Sequence, residues 1–117
     1  MTMLDIITRT TPAGPVLTLR GTLDYESAPR LREEVRAADL TPGSLLVLDL
    51  ADLDFCDSSG INTFLTARNT ATAAGASIAL AAVPPPVARV IGIVGLDQIF
   101  AIHPDSDSAA DSHLTHS

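Results

Sequence analysis

Leu45-Leu46-Val47-Leu48-Asp49-Leu50 followed by Ala51-Asp52-Leu53-Asp54-Phe55-Cys56-Asp57-Ser58-Ser59-Gly60-Ile61 is the stretch from which the fold is read. Residues 45–50 are almost continuously apolar, the pattern of an inner strand covered on both faces rather than of an edge. An acidic loop carrying Asp52, Asp54 and Asp57 is expected next. Two serines then open a helix over about 59–74, with Ile61, Phe64, Leu65, Ala71 and Ala74 on its apolar side. Gly75 stands where a left-handed residue closes such a helix.

Upstream, residues 4–9 and 16–20 read as two strands joined by the turn Thr11-Pro12-Ala13-Gly14-Pro15, a connection short enough for an antiparallel hairpin. Gly21-Thr22-Leu23-Asp24 leaves the second strand. A helix follows, with Ser27 as its expected N-cap and Pro29 in its first turn, where a missing N–H is harmless. Ala28, Leu31, Val35 and Ala38 recur at helical spacing, and Arg30, Arg32, Glu33, Glu34 and Arg36 make the wet face. Downstream, residues 77–82 read as a strand. Pro84-Pro85-Pro86 starts a third helix over about 87–94 that ends at Gly95, and residues 99–102 form a last short strand. Strands alternating with helices imply crossover connections and mostly parallel pairing. The expected fold is therefore a single α/β domain over 1–103, with a mixed, mostly parallel sheet of four or five strands, an N-terminal β-hairpin and three or four helices. From residue 104 to 117 the composition turns to Asp, Ser, Ala and His, and a mobile acidic tail is expected, frayed into helix near 108–114.

Composition narrows the function. The 117 residues are 46% hydrophobic and only 3% aromatic, so the core must be built from Ala, Val, Leu and Ile. The formal net charge is −7 and all seven cations are Arg. Such a surface lacks the basic face that neutralises nucleic-acid phosphates, and it repels anionic lipid heads. A protein partner is the easier fit. One cysteine, Cys56, excludes an internal disulfide. The first residues lack the basic start and long apolar run of a secretory signal, and no apolar stretch reaches the ~18 residues of a membrane helix, so the cytoplasm is the expected compartment.

The chemistry concentrates where the buried strand gives way to the second helix. In open sheets with crossover helices, sites gather beyond the carboxyl ends of the strands. Asp24, leaving the second strand, should share that rim with Ser58. A helix N-terminus has free N–H groups and a partial positive charge, so a serine there tolerates a phosphate. The phosphate brings roughly −1.5 to −2 charges. With Asp57 and Asp24 nearby, the rim would become strongly negative and reject a partner that docks on its uncharged form.

These residues carry a family likeness. Leu48-Asp49-Leu50 through Phe55-Cys56-Asp57-Ser58-Ser59-Gly60-Ile61 resembles the signature of the STAS family (sulfate transporter and anti-sigma factor antagonist). Gly21-Thr22-Leu23-Asp24 resembles the family's second-strand exit, and Ser27-Ala28-Pro29-Arg30-Leu31 the start of its first helix. Gly95-Leu96-Asp97-Gln98-Ile99-Phe100 resembles the approach to its last strand. The matches lie in order over about residues 5–103, which is more specific than Asp57-Ser58-Ser59-Gly60 alone. The resemblance implies an anti-sigma factor antagonist. In that mechanism Ser58 is phosphorylated by an anti-sigma factor that is itself a serine kinase of the histidine-kinase-like ATPase fold. The unphosphorylated antagonist binds the kinase and frees the sigma factor; the phosphorylated form lets go, and a metal-dependent serine phosphatase resets it. Asp24, Asp57, Ser58, Ser59 and Gly60 match positions at the docking rim, with Ser59 and Gly60 shaping the helix start. The family usually closes with a fuller amphipathic helix than residues 106–114 supply.

Plainer readings stand beside these. Without the family, Ser58 reads as a helix cap before it reads as a phosphate acceptor. Asp57 is equally placed to be the cap itself, and Asp24 to be a turn residue. Cys56 reads as a small buried apolar side chain. Asp49, Asp52 and Asp54 lack the glycine and the distal Glu of a calcium loop, and no metal or cofactor is expected. An enzyme is not expected either: no Gly-x-Ser-x-Gly elbow, no phosphate-cradling loop and no His before residue 103 is present. The alternative within the family is a non-phosphorylated STAS adaptor subunit of a transporter or a stress-sensing complex.

Overall fold

A computed structural model of the chain describes residues 4–116, the His116 side chain excepted. The elements run β1 (Leu4–Thr10), β2 (Pro15–Leu23), α1 (Ala28–Ala37), β3 (Leu45–Cys56), α2 (Ser58–Ala73), β4 (Ser77–Ala81), α3 (Pro85–Ile93), a single 3₁₀ turn (Leu96–Gln98), β5 (Ala101–His103) and α4 (Ser106–His116). The five strands form one sheet in the order β1-β2-β3-β4-β5. The β1–β2 hairpin is antiparallel and every other neighbouring pair is parallel. The mixed, mostly parallel sheet read from the sequence is the one observed.

Alternation along the strands divides the core in two. Leu17 and Leu19 of β2, Leu46, Leu48 and Leu50 of β3 and Leu80 of β4 join Leu31 and Val35 of α1, Ile61 and Phe64 of α2 and Val87 and Ile91 of α3. Val16, Leu45, Val47, Ala79 and Ala81 point to the opposite face, where Ala109 of α4 covers them. A strand with apolar residues on both faces is what the run 45–50 predicts. Each fully buried Leu or Val contributes about 1.5–3 kcal/mol of transfer free energy. The aliphatic core therefore compensates for having only one fully buried aromatic ring, Phe64.

Two expectations are corrected here. Residues 52–56 are not a loop: β3 continues to Cys56, and Asp52 and Leu53 pair with Arg20 and Gly21 of β2. Register shifts between Thr18 and Arg20 and between Gly21 and Thr22 each place an extra residue on β3. Such bulges bend a strand and re-aim its side chains. They return Leu53 to the core while Asp52 and Asp54 face water. Scattered aspartates hid this continuation, because the bulges break the two-residue period.

The segment from 104 is likewise not a mobile tail from Ser106 to His116, where it is α4, packed on the second face of the sheet. Small residues suffice because the face it covers is itself made of Val and Ala, so backbones approach closely. The carboxylate of Asp105 accepts a hydrogen bond from the Ser108 N–H at 2.7 Å and caps the helix. Ser106 is buried and accepts from the Arg9 guanidinium at 2.6 Å. A ring nitrogen of His113 lies 2.8 Å from the Gly43 carbonyl.

Candidate functional site

The rim is assembled by the ends of β2 and β3. Leu23 pairs with Cys56, and the Asp57 N–H donates to the Leu23 carbonyl at 3.2 Å. Asp24 and Ser58 therefore leave the sheet side by side. All five residues singled out from the sequence, Asp24, Asp57, Ser58, Ser59 and Gly60, sit at this junction.

Asp57 is the N-cap of α2: its carboxylate accepts from the Gly60 N–H at 3.0 Å. That contact contributes about 1 kcal/mol and places a negative charge at the positive end of the helix. The cap question left open by the sequence is thereby answered. Ser58 occupies the first helical position, is exposed, and its hydroxyl has no hydrogen-bond partner among the described residues. Ser59 is half-buried, and its carbonyl accepts from the buried Thr63 hydroxyl at 2.9 Å.

Asp24 is a turn residue first. Its carboxylate accepts from the Ser27 N–H at 3.0 Å, while the Ser27 hydroxyl accepts from the Asp24 N–H at 2.9 Å and donates to the Thr22 carbonyl at 2.8 Å. Ser27 occupies the N-cap position of α1 as expected but gives that helix no side-chain cap, since its oxygen is committed to this turn. The turn holds Asp24 half-buried at the rim.

Gly60 is required by contact rather than by dihedral angle. A Cβ there would lie 2.6 Å from the Cys56 sulfur and 2.8 Å from the Leu23 carbonyl oxygen. The helix start is thus pressed directly onto the ends of both strands. Cys56 belongs to this packing: burial chiefly, and the adjacent Asp57 charge secondarily, push its thiol up to about 12 from 9.0. The unfolded thiol ionises near 9 and the folded one does not, so above pH 9 only the unfolded chain sheds this proton. Alkali then pulls the equilibrium toward unfolding. We expect iodoacetamide at pH 8 to alkylate native Cys56 at least ~100-fold more slowly than the urea-unfolded chain, since the reactive species is the thiolate. Comparable rates in the two states, followed by mass spectrometry, would contradict this packing.

Two concavities flank Ser58. One, about 550 Å³, is lined by Cys56, Asp57, Ser58, Ile61, Leu65 and Val94. The other, about 460 Å³, lies between α1 and α2 and includes Tyr25, Glu26, Arg32, Ser59 and Asn62. Large apolar side chains stand exposed on the elements that meet here: Tyr25 is 80% exposed and Ile93 is 77%, with Phe55 and Val94 about half exposed. The sequence reading missed these residues. Their signal was available, because Tyr25 directly follows the motif aspartate and Phe55 is an aromatic in an otherwise acidic stretch. Among the described residues no three His, Cys, Asp or Glu side chains gather as a metal cluster, and no helix is long and apolar enough to cross a membrane.

The arrangement offers an exposed hydroxyl on a rigid helix start, flanked by carboxylates and apolar contact area. Known proteins resemble the chain in sequence and in fold. An anti-sigma F factor antagonist of Paenibacillus polymyxa is 30% identical over 95 residues, covering 80% of this chain and 81% of that one. The crystal structure of an anti-sigma factor antagonist from Mycobacterium paratuberculosis superposes with a TM-score of 0.81 at 24% identity, covering 93% of this chain and 92% of that one. The Bacillus cell fate determinant SpoIIAA in its phosphorylated form gives a TM-score of 0.66 at 20% identity, covering 96% and 98%. The family model described as Mlab, STAS domain matches residues 6–103, so that hairpin, parallel sheet and helix-mounted serine fall within one match. The chain belongs to the STAS domain family, the family of the anti-sigma factor antagonists.

Proposed function

We propose that this chain is a phosphorylation-switched anti-sigma factor antagonist whose switch is the Ser58 hydroxyl. The unphosphorylated rim binds an anti-sigma factor that is a serine kinase, and so frees the sigma factor. The kinase transfers the γ-phosphoryl of ATP to Ser58 Oγ: a new O–P bond forms, ADP leaves, and the hydroxyl proton passes to a base of the kinase. The phosphorylated rim releases the kinase, and a metal-dependent phosphatase hydrolyses the ester. In this reading the chain is a cytoplasmic binding protein rather than a catalyst.

The observation that carries it is the division of labour at the helix start. Asp57 performs the capping, so Ser58 is exposed and unbonded on the first turn of a 16-residue helix. A serine needed for capping would resist modification, whereas this one yields no structural bond on accepting a phosphate. The helix N–H groups and dipole accommodate the new charge locally, so the switch acts on docking rather than on folding. A phosphorylated form of a protein with this fold supports the same reading.

Incubation with the cognate kinase and Mg·ATP is expected to add one phosphate, mapped to Ser58 by fragmentation mass spectrometry, and Ser58→Ala should remain unmodified. A phosphate on any other residue defeats the assignment. Partner binding that is indifferent to phosphorylation selects the adaptor role within a larger complex instead.

A further inference from the structure

The structure leaves one long strand edge open. β1 pairs with β2 through an unbroken register from Leu4 opposite Gly21 to Thr10 opposite Pro15. On its other side no strand lies among the described residues, because β1 is the end of the sheet. Exposed edges are commonly blunted by Pro, Lys, a bulge or a covering element. This edge has no Pro or Lys within it and no bulge. Among the described residues the Arg30 guanidinium donates to the Leu4 carbonyl at the start of the strand, and the exposed Asp5 and Arg9 put opposite charges toward its two ends.

The side chains of this edge are self-complementary. Asp5, Ile7 and Arg9 alternate onto one face of the sheet, and Ile7 is 51% exposed. We propose that β1 is the docking edge for a second copy of this chain, joined antiparallel about a two-fold axis at Ile7. That register sets Ile7 against Ile7 of the second copy. It sets Asp5 against Arg9 of the second copy, and Arg9 against its Asp5, so both ends close with opposite charges. Ile6, half-buried, meets Thr8 of the other strand, and the two five-stranded sheets become one. An isologous contact requires just such matching of one patch with itself, and directly opposed charges of opposite sign stabilise an antiparallel pair, whereas like charges destabilise it. One strand pair buries little area, so the association is weak. The net charge of −7 on each copy opposes it further at low salt.

Geometry separates this edge from the switch. β1 begins beside the rim and runs away from it, since Leu4 lies opposite Gly21. A two-fold axis at its centre turns the two Ser58 rims in opposite directions and leaves both open. The proposal therefore does not rest on the phosphorylation reading.

Sedimentation equilibrium at ~0.15 M salt, from micromolar to about 1 mM, is expected to show a monomer–dimer equilibrium. Asp5→Arg should weaken it at least ~10-fold by opposing arginines at both ends, as should Ile7→Glu at the axis. The exchange Asp5→Arg with Arg9→Asp should restore it, because the edge again matches itself. Thermal unfolding at micromolar concentration keeps loss of the Arg9–Ser106 contact separate from loss of the dimer. Should the exchanged chain prove unstable, Asp5→Arg mixed with Arg9→Asp should form a heterodimer, attractive at both ends, more readily than Asp5→Arg pairs with itself. A monomer throughout the range overturns the proposal, as does a dimer indifferent to Asp5→Arg and Ile7→Glu. Ser58→Asp should leave the dimer unchanged.

Discussion

On the proposed reading, Ser58→Asp should weaken docking of an anti-sigma factor kinase by about 100-fold or more, while Ser58→Ala should bind within about a few-fold of the native chain. The hydroxyl is exposed and has no partner among the described residues, so its removal disturbs little inside this chain. A carboxylate at the same place joins Asp57, its immediate neighbour, and Asp24 across the Leu23–Cys56 strand pair. A docked partner must strip water from these charges. Juxtaposed like charges cost several kcal/mol in an interface, and each 1.4 kcal/mol is tenfold in Kd. A phosphate carries up to about twice the charge of a carboxylate, so the phosphorylated chain should bind more weakly still than Ser58→Asp. The same substitution should leave the melting temperature unchanged or slightly raised, because an acidic residue in the first turn interacts favourably with the helix dipole. Calorimetric titration with the kinase, alongside thermal unfolding, separates the two effects. Equal affinity for native and Ser58→Asp chains would remove the electrostatic basis of the switch. A large fall in melting temperature would show that the hydroxyl serves the fold instead.

The sequence was most informative where two signals agreed. The run 45–50 predicts an inner strand by apolar content alone, and its two-faced burial in the structure follows. The helix start at Ser58 was legible because turn chemistry and charge point the same way: an acidic cap, two small polar residues and a glycine. Which side chain caps was not legible, since Asp57 and Ser58 are both good caps and only the direction of the chain leaving β3 chooses between them. The extension of β3 to Cys56 was hidden by its two bulges, which are a property of the β2–β3 pairing and leave no period in either strand. The last helix was misread for another reason. Its small residues look like a tail until the face they cover is known, and that face comes from β3 and β4, more than 20 residues upstream. Tertiary complementarity of this kind is invisible to any local window.

Gly60→Ala should destabilise the chain by about 3 kcal/mol, the upper part of the range for overpacking a tight site. The added methyl would lie 2.6 Å from Cys56 Sγ, 2.8 Å from the Leu23 carbonyl oxygen and 2.9 Å from Leu23 Cγ. None of these neighbours moves freely. Leu23 is fully buried, and its carbonyl accepts from the Asp57 N–H, the bond that ties the two strand ends together. Relief must come from lifting the start of α2 off the sheet, which carries Ser58 with it. The melting temperature should fall by roughly 10 °C, and phosphorylation by the kinase should slow even below that temperature. Gly92→Ala is the matched control. It lies within α3 with nothing within 4 Å of its added carbon, so it should gain up to ~1 kcal/mol from helix propensity. Cys56→Ala in the Gly60→Ala background removes the sulfur but not the Leu23 carbonyl, so a double-mutant cycle should show partial rescue with a coupling of about 1 kcal/mol. Were Gly60→Ala as benign as Gly92→Ala, the helix start would not be pressed onto the strand ends. Ser58 would then lack the rigid seat on which a charge-operated switch depends.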